Sequence, residues 1–592
     1  MQVINHKNSE LTVTQRFFIE KIVEMLYMGT IDSYRVRLHN PLTVMEELLY
    51  CLQEYKNGRI KHFHTIKAKE VKKYALIDEC IQSLALDPNY LNFGSISQKY
   101  LNTIFKNIDE HNYLKVISCL NVLKKENEHY LSNIIAGLKQ LIAINENSME
   151  VLERIDVTLN ILLSQLIAIG YSKGYLYKIA YGIFVNALTQ DEVFDTHFDL
   201  FEQKINHPPK EFTVIFRMDT TTKVYDAITD IVSEGFQLED TIQGIELTAN
   251  RRGEFNNFNS QHPNRKFLKC IVTATDYLSA LKRARSILSE YLDVINLGLS
   301  DEYLNIHNRV LVVDNHNPAA GAFQNNVNIL DGKYKAAMDH YQQFTSKMPV
   351  ILNNTSISNE TKDKIKSAVR YLRLGNQSTE VEHKFINYWI GLEYLFSNYE
   401  GQNTINRIKD HFINAHARAY VKRNCFALLK DINQLSTEDK EKIPAFTNEL
   451  NNFLNTELYA QIDSQLSTQY PLLSYRTKKL SMWFNQNGGR LSATKYLAKH
   501  KVNLEIHFTR IYRLRNEIIH DAATNTNNEH IASNLRYYLT FILNEIIDYL
   551  HTYDVSIEDY FISNEIEIGN IELEGNLLSD IFNINCSLDF IN

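Results

Sequence analysis

Only 9 prolines and 20 glycines interrupt 592 residues, and this scarcity of chain breakers is the tightest constraint on the fold. Proline removes a helical N–H donor and glycine loosens the helical backbone. A chain so poor in both is expected to run in long helices with few loops. Its length exceeds one ordinary hydrophobic core, so roughly two to four domains are expected. Hydrophobic residues at 44% and charged residues at 22% fit a globular protein. The expectation is a mainly α, multidomain chain. Its parts are a helical N-terminal region at 1–205, a small α/β domain at 206–345, an all-α bundle at 355–552, and an acidic C-terminal segment at 553–592 with strand-like alternation.

Periodicity supports that division. Thr43 and Glu46 have capping-box spacing before Met45, Leu48, Leu49 and Leu52. From Ser148 to Ala168 the residues Val151, Leu152, Ile155, Leu159, Leu162, Leu163 and Leu166 form one stripe, and Gly170 closes it. No fixed repeat period emerges, so the first 205 residues read as a helical sensor or scaffold. Beyond Pro208 and Pro209, three β-branched or aromatic runs, 212–218, 267–273 and 309–313, alternate with helical stretches. Arg251, Arg252 and Gly253 fall between the first two runs and read as a solvated loop. No glycine-rich phosphate loop occurs anywhere, which removes the basis for an NTPase or dinucleotide reading.

From about residue 355 the pattern is helical again. A break is expected at Gly375–Thr379, followed by a helix that puts Phe385, Trp389, Leu392 and Phe396 on one face with Glu393 beside them. Separate helices are expected at about 404–431, 444–468 and 492–501, then over Phe508–Asp521, and finally over Asn534–Leu550.

Six scattered cysteines (Cys51, Cys80, Cys119, Cys270, Cys425 and Cys586) form no Cys-x-x-Cys pair, which fits a reducing compartment with no disulfide framework and no zinc site. The N-terminus lacks an apolar signal region, and the most apolar stretch, 159–171, is too short for a membrane span. A cytoplasmic location without membrane contact is expected. The net charge of −8 makes any nucleic-acid surface local rather than global.

One local exception stands out. Arg476, Lys478, Lys479, Arg490, Lys495, Lys499, Lys501, Arg510, Arg513 and Arg515 face a single acid, Glu505, over the same stretch. Such a focus of cations suits a phosphate backbone. Tyr475, Trp483, Phe484 and Tyr512 are interleaved and could stack bases, with core packing the default for each. The stretch leads into Arg515-Asn516-x-x-x-His520. Arginine followed by histidine at similar spacing also occurs at Arg59–His64 and Arg309–His316, so spacing alone has little specificity. At about 100° per residue, Arg513, Asn516 and His520 share a stripe, and Arg515 lies about 140° from His520. Straight-helix geometry therefore favours Arg513 as the histidine's partner. A bend, or a second subunit, would favour Arg515.

Arg515-Asn516-x-x-x-His520, together with the earlier helix containing Trp389, Leu392 and Glu393, resembles the HEPN superfamily, and within it the Apea-like ribonucleases of bacterial anti-phage and abortive-infection systems. The resemblance covers about residues 360–552. It implies an all-α domain that cuts RNA without metal or cofactor and acts at the interface of a homodimer or higher homo-oligomer, while a phage-derived trigger is an expected partner that the resemblance itself does not supply. It carries catalysis to Arg515, Asn516 and His520, and places Glu393 as an acid near them.

The chemistry suits those residue types. A histidine with an ordinary pKa of about 6.5 exchanges protons with a ribose 2′-OH near neutral pH. An arginine holds the non-bridging oxygens and offsets the charge that builds on phosphorus. The product would be a 2′,3′-cyclic phosphate. The competing readings are a non-catalytic nucleic-acid-binding or scaffold protein, and a toxin held by a separate partner. Beyond Arg536 there is no Lys or Arg, while residues 537–592 carry eleven Asp or Glu. That tail reads as a hairpin, or as an acidic cover over the basic stretch.

Overall fold

A computed structural model describes residues 4–27, 40–60, 63, 66–67, 76–87, 96–228, 235–299, 304–325, 338–378, 380–397, 404–484, 489–521, 529–573 and 582. The protein is mainly α and multidomain. Nine helices come first: α1 (Val13–Leu26), α2 (Pro41–Lys56), α3 (Leu76–Leu86), α4 (Gln98–Lys106), α5 (Tyr113–Glu126), α6 (Tyr130–Ala143), α7 (Met149–Ala168), α8 (Lys173–Tyr181) and α9 (Phe194–Ile205). α1 forms their core, with Phe17, Phe18, Ile22 and Met25 fully buried. Asn40, rather than Thr43, caps α2. Its side chain accepts from the Thr43 N–H, Thr43 answers as the third helical residue, and Pro41 fits the first turn. Glu46 is left to pair with Lys124 at 2.8 Å. Gly170, at φ +108°, turns the chain out of α7 as the periodicity predicts.

The middle of the chain holds β1 (Lys210–Thr220), α10 (Thr222–Ile228), β2 (Gln237–Glu239), α11 (Ala249–Phe258), β3 (Arg265–Ala274), α12 (Tyr277–Leu299), β4 (Leu304–Asp314) and β5 (Asn317–Asn325). All pairings are antiparallel, in the order β2-β3-β1-β4-β5, with Val214 opposite both Cys270 and Val312. Central β1 is buried on both faces. Val214, Phe216 and Met218 pack with Ala280, Ala284 and Leu288 of α12, and Ile215 packs with Phe258 of α11. Two-sided burial explains why Phe212–Phe216 reads as a continuous apolar run. Three strands were legible from the sequence. β2 is only three residues long, and β5 carries proline, glycine and alanines, so neither announces itself. Arg251 to Gly253 lie in α11 rather than in a loop, and Arg251 donates to the Gly321 carbonyl of β5 at 2.8 Å.

Helices return with α13 (Met338–Asn353), α14 (Asn359–Gln377), α15 (Val381–Leu395), α16 (Thr404–Asn433), α17 (Thr437–Glu441), α18 (Thr456–Leu466), α19 (Pro471–Phe484), α20 (Gly489–Asp521), α21 (Glu529–Thr552) and α22 (Ile557–Glu572). α21 is the hub, and its buried residues include Leu535, Leu539, Ile542, Ile546 and Leu550. The break expected over Gly375–Thr379 is present, since α14 ends at Gln377 and α15 begins at Val381, and Gly375 itself is still helical. It permits close approach, since a Cβ there would lie 2.3 Å from the Tyr388 ring.

Two further expectations are corrected. The stretch 492–501 and the motif helix are one helix of 33 residues, α20. The C-terminal segment forms helix α22, not strands, over Ile557–Glu572. The alternation at Glu565–Ile568 spans only four residues. Helical spacing of Ile557, Tyr560, Phe561, Asn564, Ile568 and Ile571 spans fifteen, and all six are buried. Ser556 and Asp559 supply the capping box. Glu574 lies outside the described residues.

The N- and C-terminal helical parts share a core. Leu472 and Tyr475 of α19 are buried with α1, where Phe17 and Tyr475 meet edge to face at 5.0 Å. Cys51, Cys80, Cys119, Cys270 and Cys425 are free thiols, and Cys586 lies outside the described residues. Among the described residues no helix is long and apolar enough to cross a membrane.

Candidate functional site

α20 is fixed by one apolar line, Leu504, Phe508, Ile511 and Leu514, all buried in the C-terminal core. Phe508 meets Phe412 of α16 at 4.8 Å and Tyr538 of α21 at 5.2 Å. Spacing of four, three and three residues locks the helix rotation. It therefore decides where the cations carried by α20 point.

Most of those cations meet a carboxylate of the protein itself. Arg476 pairs with Glu24 of α1 and with Asp431 of α16, the latter at 2.6 Å. Lys478 pairs with Asp463 at 2.7 Å, and Lys479 with Asp156 at 3.4 Å and Glu153 at 3.9 Å. Lys501 pairs with Glu572 of α22 at 2.6 Å. Arg510 lies 3.3 Å from Glu47 of α2, and Arg513 pairs with the other oxygen of the same carboxylate. The sequence expectation of an open basic surface is therefore corrected for these six residues. A count along the chain omits acids supplied by helices hundreds of residues away.

Two members of the set differ. Lys499 is exposed, and among the described residues no carboxylate pairs with it or with Arg515. The side chains of Arg490, Lys495 and His520 lie outside the described residues, although the three positions belong to α20. The aromatic side chains are committed elsewhere. Tyr475 and Trp483 are buried, Phe484 packs against Phe582 at 5.5 Å, and Tyr512 lies 5.9 Å from Trp389.

Arg515 is half-buried. Its Nη1 donates to Asn516 Oδ1 at 3.1 Å, and its Nε is buried without a hydrogen-bond partner. His520 stands four residues after Asn516, one helical turn further along α20. Arg513, which straight-helix geometry favours, is occupied by Glu47 and by Cys51, whose Sγ lies 3.7 Å from Nη1. Burial opposes the charge on Arg513, but Glu47, Cys51 and Glu79 outweigh it and raise its pKa. The same thiol of Cys51 is pushed up to about 11, chiefly by burial. Glu393 does not meet Arg515. It accepts the Trp389 Nε1 hydrogen at 2.8 Å and so orients the indole. Among the described residues no cluster of three or more His, Cys, Asp or Glu side chains is placed to hold a metal ion.

Sequence reasoning missed Glu47 and Glu24. Glu24 left a signal, because Phe17, Glu20 and Glu24 share one buried stripe of α1. A charge on an apolar stripe needs an opposite charge from elsewhere. Glu47 left none, since Leu48 and Val44 account for its helix face. Comparison of the chain with protein-family models, with curated proteins and with solved structures finds no match.

Proposed function

We propose that the C-terminal helical part is a metal-independent endoribonuclease of HEPN type, with Arg515, Asn516 and His520 as its catalytic residues. The observation that carries this reading is the contrast within one helix. Arg510 and Arg513 share the Glu47 carboxylate, whereas Arg515 retains a guanidinium with no carboxylate partner among the described residues and a buried, unpartnered Nε. A buried polar group without a partner is costly, and an incoming acceptor repays that cost.

Arg515 binds the non-bridging oxygens of the scissile phosphate, and Asn516 holds its guanidinium in position. His520 moves the proton. The 2′-oxygen loses its hydrogen and bonds to phosphorus, the bond from phosphorus to the 5′-oxygen breaks, and that oxygen takes up a proton. The products are a 2′,3′-cyclic phosphate and a 5′-hydroxyl. A role in anti-phage defence and a homodimeric site belong to the same proposal and rest on the HEPN resemblance; a phage-derived trigger and a cytoplasmic location are proposed with them, the location from the scattered, unpaired cysteines. The reading as a basic nucleic-acid holder is weaker, because six of its cations are already paired within the chain.

The test uses matched oligonucleotides in EDTA, one all-ribose and one carrying a single 2′-deoxyribose at the mapped cut. Cleavage of the first to a cyclic phosphate, with the second left intact at that position, is expected. Equal cutting of both would refute attack by the 2′-oxygen.

A further inference from the structure

We propose that α4 lines a binding site for a small molecule carrying more than one phosphate, of the class of a nucleoside diphosphate, with its phosphates on Lys99 and Lys106. The site belongs to the N-terminal helices and does not depend on the ribonuclease reading.

α4 has sharply divided faces. Leu101, Phe105 and, just past the helix end, Ile108 are fully buried in the N-terminal core, which fixes the helix rotation. At about 100° per residue, Lys99, Asn102, Thr103 and Lys106 then share an arc of about 100° outside that buried stripe. A cavity of about 420 Å³ opens over the arc, lined among the described residues by these four.

The lining offers positive charge and little to oppose an anion. Lys99, Thr103 and Lys106 are exposed, and among the described residues neither ammonium has a carboxylate partner. Asn102 Oδ1 is buried without a hydrogen-bond partner, which leaves Nδ2, the donor end of the same amide, for the cavity. Thr103 Oγ1 donates its hydrogen to the Lys99 carbonyl at 2.9 Å. Asp109, the nearest acid along the chain, is occupied by the His111 and Asn112 N–H groups, at 2.8 and 2.9 Å. The C-terminal end of a helix carries partial negative charge that would repel an anion beside Lys106. Lys67 offsets it, because its Nζ donates to the carbonyls of Lys106 and Ile108, each at 2.8 Å.

Charge and size together select the ligand. A lysine is a flexible point charge suited to phosphate. Two of them, about 10 Å apart along the helix axis, suit a ligand with more than one phosphate. The cavity falls in the range of small-molecule sites, about 300–1,000 Å³, and is larger than a bare phosphate fills.

The experiment titrates the full chain with ADP, inorganic pyrophosphate and citrate by isothermal titration calorimetry, without added metal. Saturable binding of ADP and pyrophosphate is expected, with citrate at least about 10-fold weaker. Replacing both cations, Lys99→Gln with Lys106→Gln, is expected to weaken ADP by about 100-fold, since each charge-assisted contact is worth roughly 10-fold. Both side chains are exposed, so the melt of that variant should match the native one. Absence of binding by ADP and pyrophosphate would overturn the proposal, as would citrate binding as tightly as pyrophosphate, or unchanged ADP affinity in the double variant. If the double variant melts below the assay temperature, Lys99→Gln alone carries the test, with about a 10-fold loss expected and unchanged affinity overturning the idea. An oligouridine that displaces ADP and binds more tightly would also overturn it, because the surface would then be a track for nucleic acid.

Discussion

Arg513 and Arg515 stand two residues apart on α20, yet the first is neutralised by Glu47 of α2 and the second donates only to Asn516, at 3.1 Å, among the described residues. Two arginines of one motif thus carry different work, the first in the joint between domains and the second in the candidate site.

Their substitutions should separate cleanly. Arg515→Ala is expected to lower RNA cleavage by about 100-fold or more, the usual loss when a charge-stabilising donor is removed, with little change in melting temperature. Arg513→Ala is expected to lower stability by roughly 1–3 kcal/mol, because Glu47 is left partly uncompensated. Paired thermal melts and cleavage rates read both. Equal loss of stability in the two variants would contradict the division.

A second prediction concerns the C-terminal helix. α22 buries Ile557, Tyr560, Phe561, Ile568 and Ile571, and Phe561 stacks on Phe396 at 4.7 Å. Glu558 pairs with Arg407 and Lys364, and Glu567 with Arg418. Each buried side chain contributes about 1.5–3 kcal/mol. A chain truncated after Thr552 is therefore expected to lose cooperative unfolding rather than gain activity. The acidic segment meets the basic stretch at Lys501 through Glu572, so Glu572→Gln is the sharper probe of any covering role, with a cooperative melt expected to persist.

How much of this was legible follows physical lines. Helices with a long apolar stripe, such as α7 and α21, announced themselves through spacing. The strand reading of Glu565–Ile568 failed because a four-residue alternation was read without the longer helical period around it. The basic stretch between Arg476 and Arg515 was visible as a count, but its neutralisation was not, because Glu24, Glu47 and Asp156 arrive from sequence positions more than 300 residues away. The pairing of Arg513 with Glu47 depended on that tertiary charge.

Acid sensitivity is a third expectation. His416 Nδ1 lies 2.9 Å from His500 Nε2, and both rings are buried. Burial, with His500 and Arg423 nearby, holds His416 well below its ordinary pKa. The folded state therefore keeps this imidazole neutral, while the unfolded chain takes up a proton below about pH 6.5. Its contribution is complete above that pH and is lost as pH falls, by up to about 1.4 kcal/mol per pH unit. Melting from pH 7.5 down to 5.5 should show a steeper fall for the native chain than for His416→Gln. Parallel curves would exclude the pair as the cause.

The packing of α14 on α15 gives a fourth. Gly375→Ala would drive a methyl into the Tyr388 ring, 2.3 Å away, at a cost of roughly 1–3 kcal/mol. A drop in melting temperature is expected in a calorimetric scan, and an unchanged melt would mean that the ring moves freely.

The central claim is tested most directly by incubating the purified chain with end-labelled RNA in EDTA, beside His520→Ala and Arg515→Ala. The account predicts cleavage by the native chain and a loss of about 100-fold or more in each variant, with all three proteins folded. Cleavage that persists undiminished in both variants would contradict it.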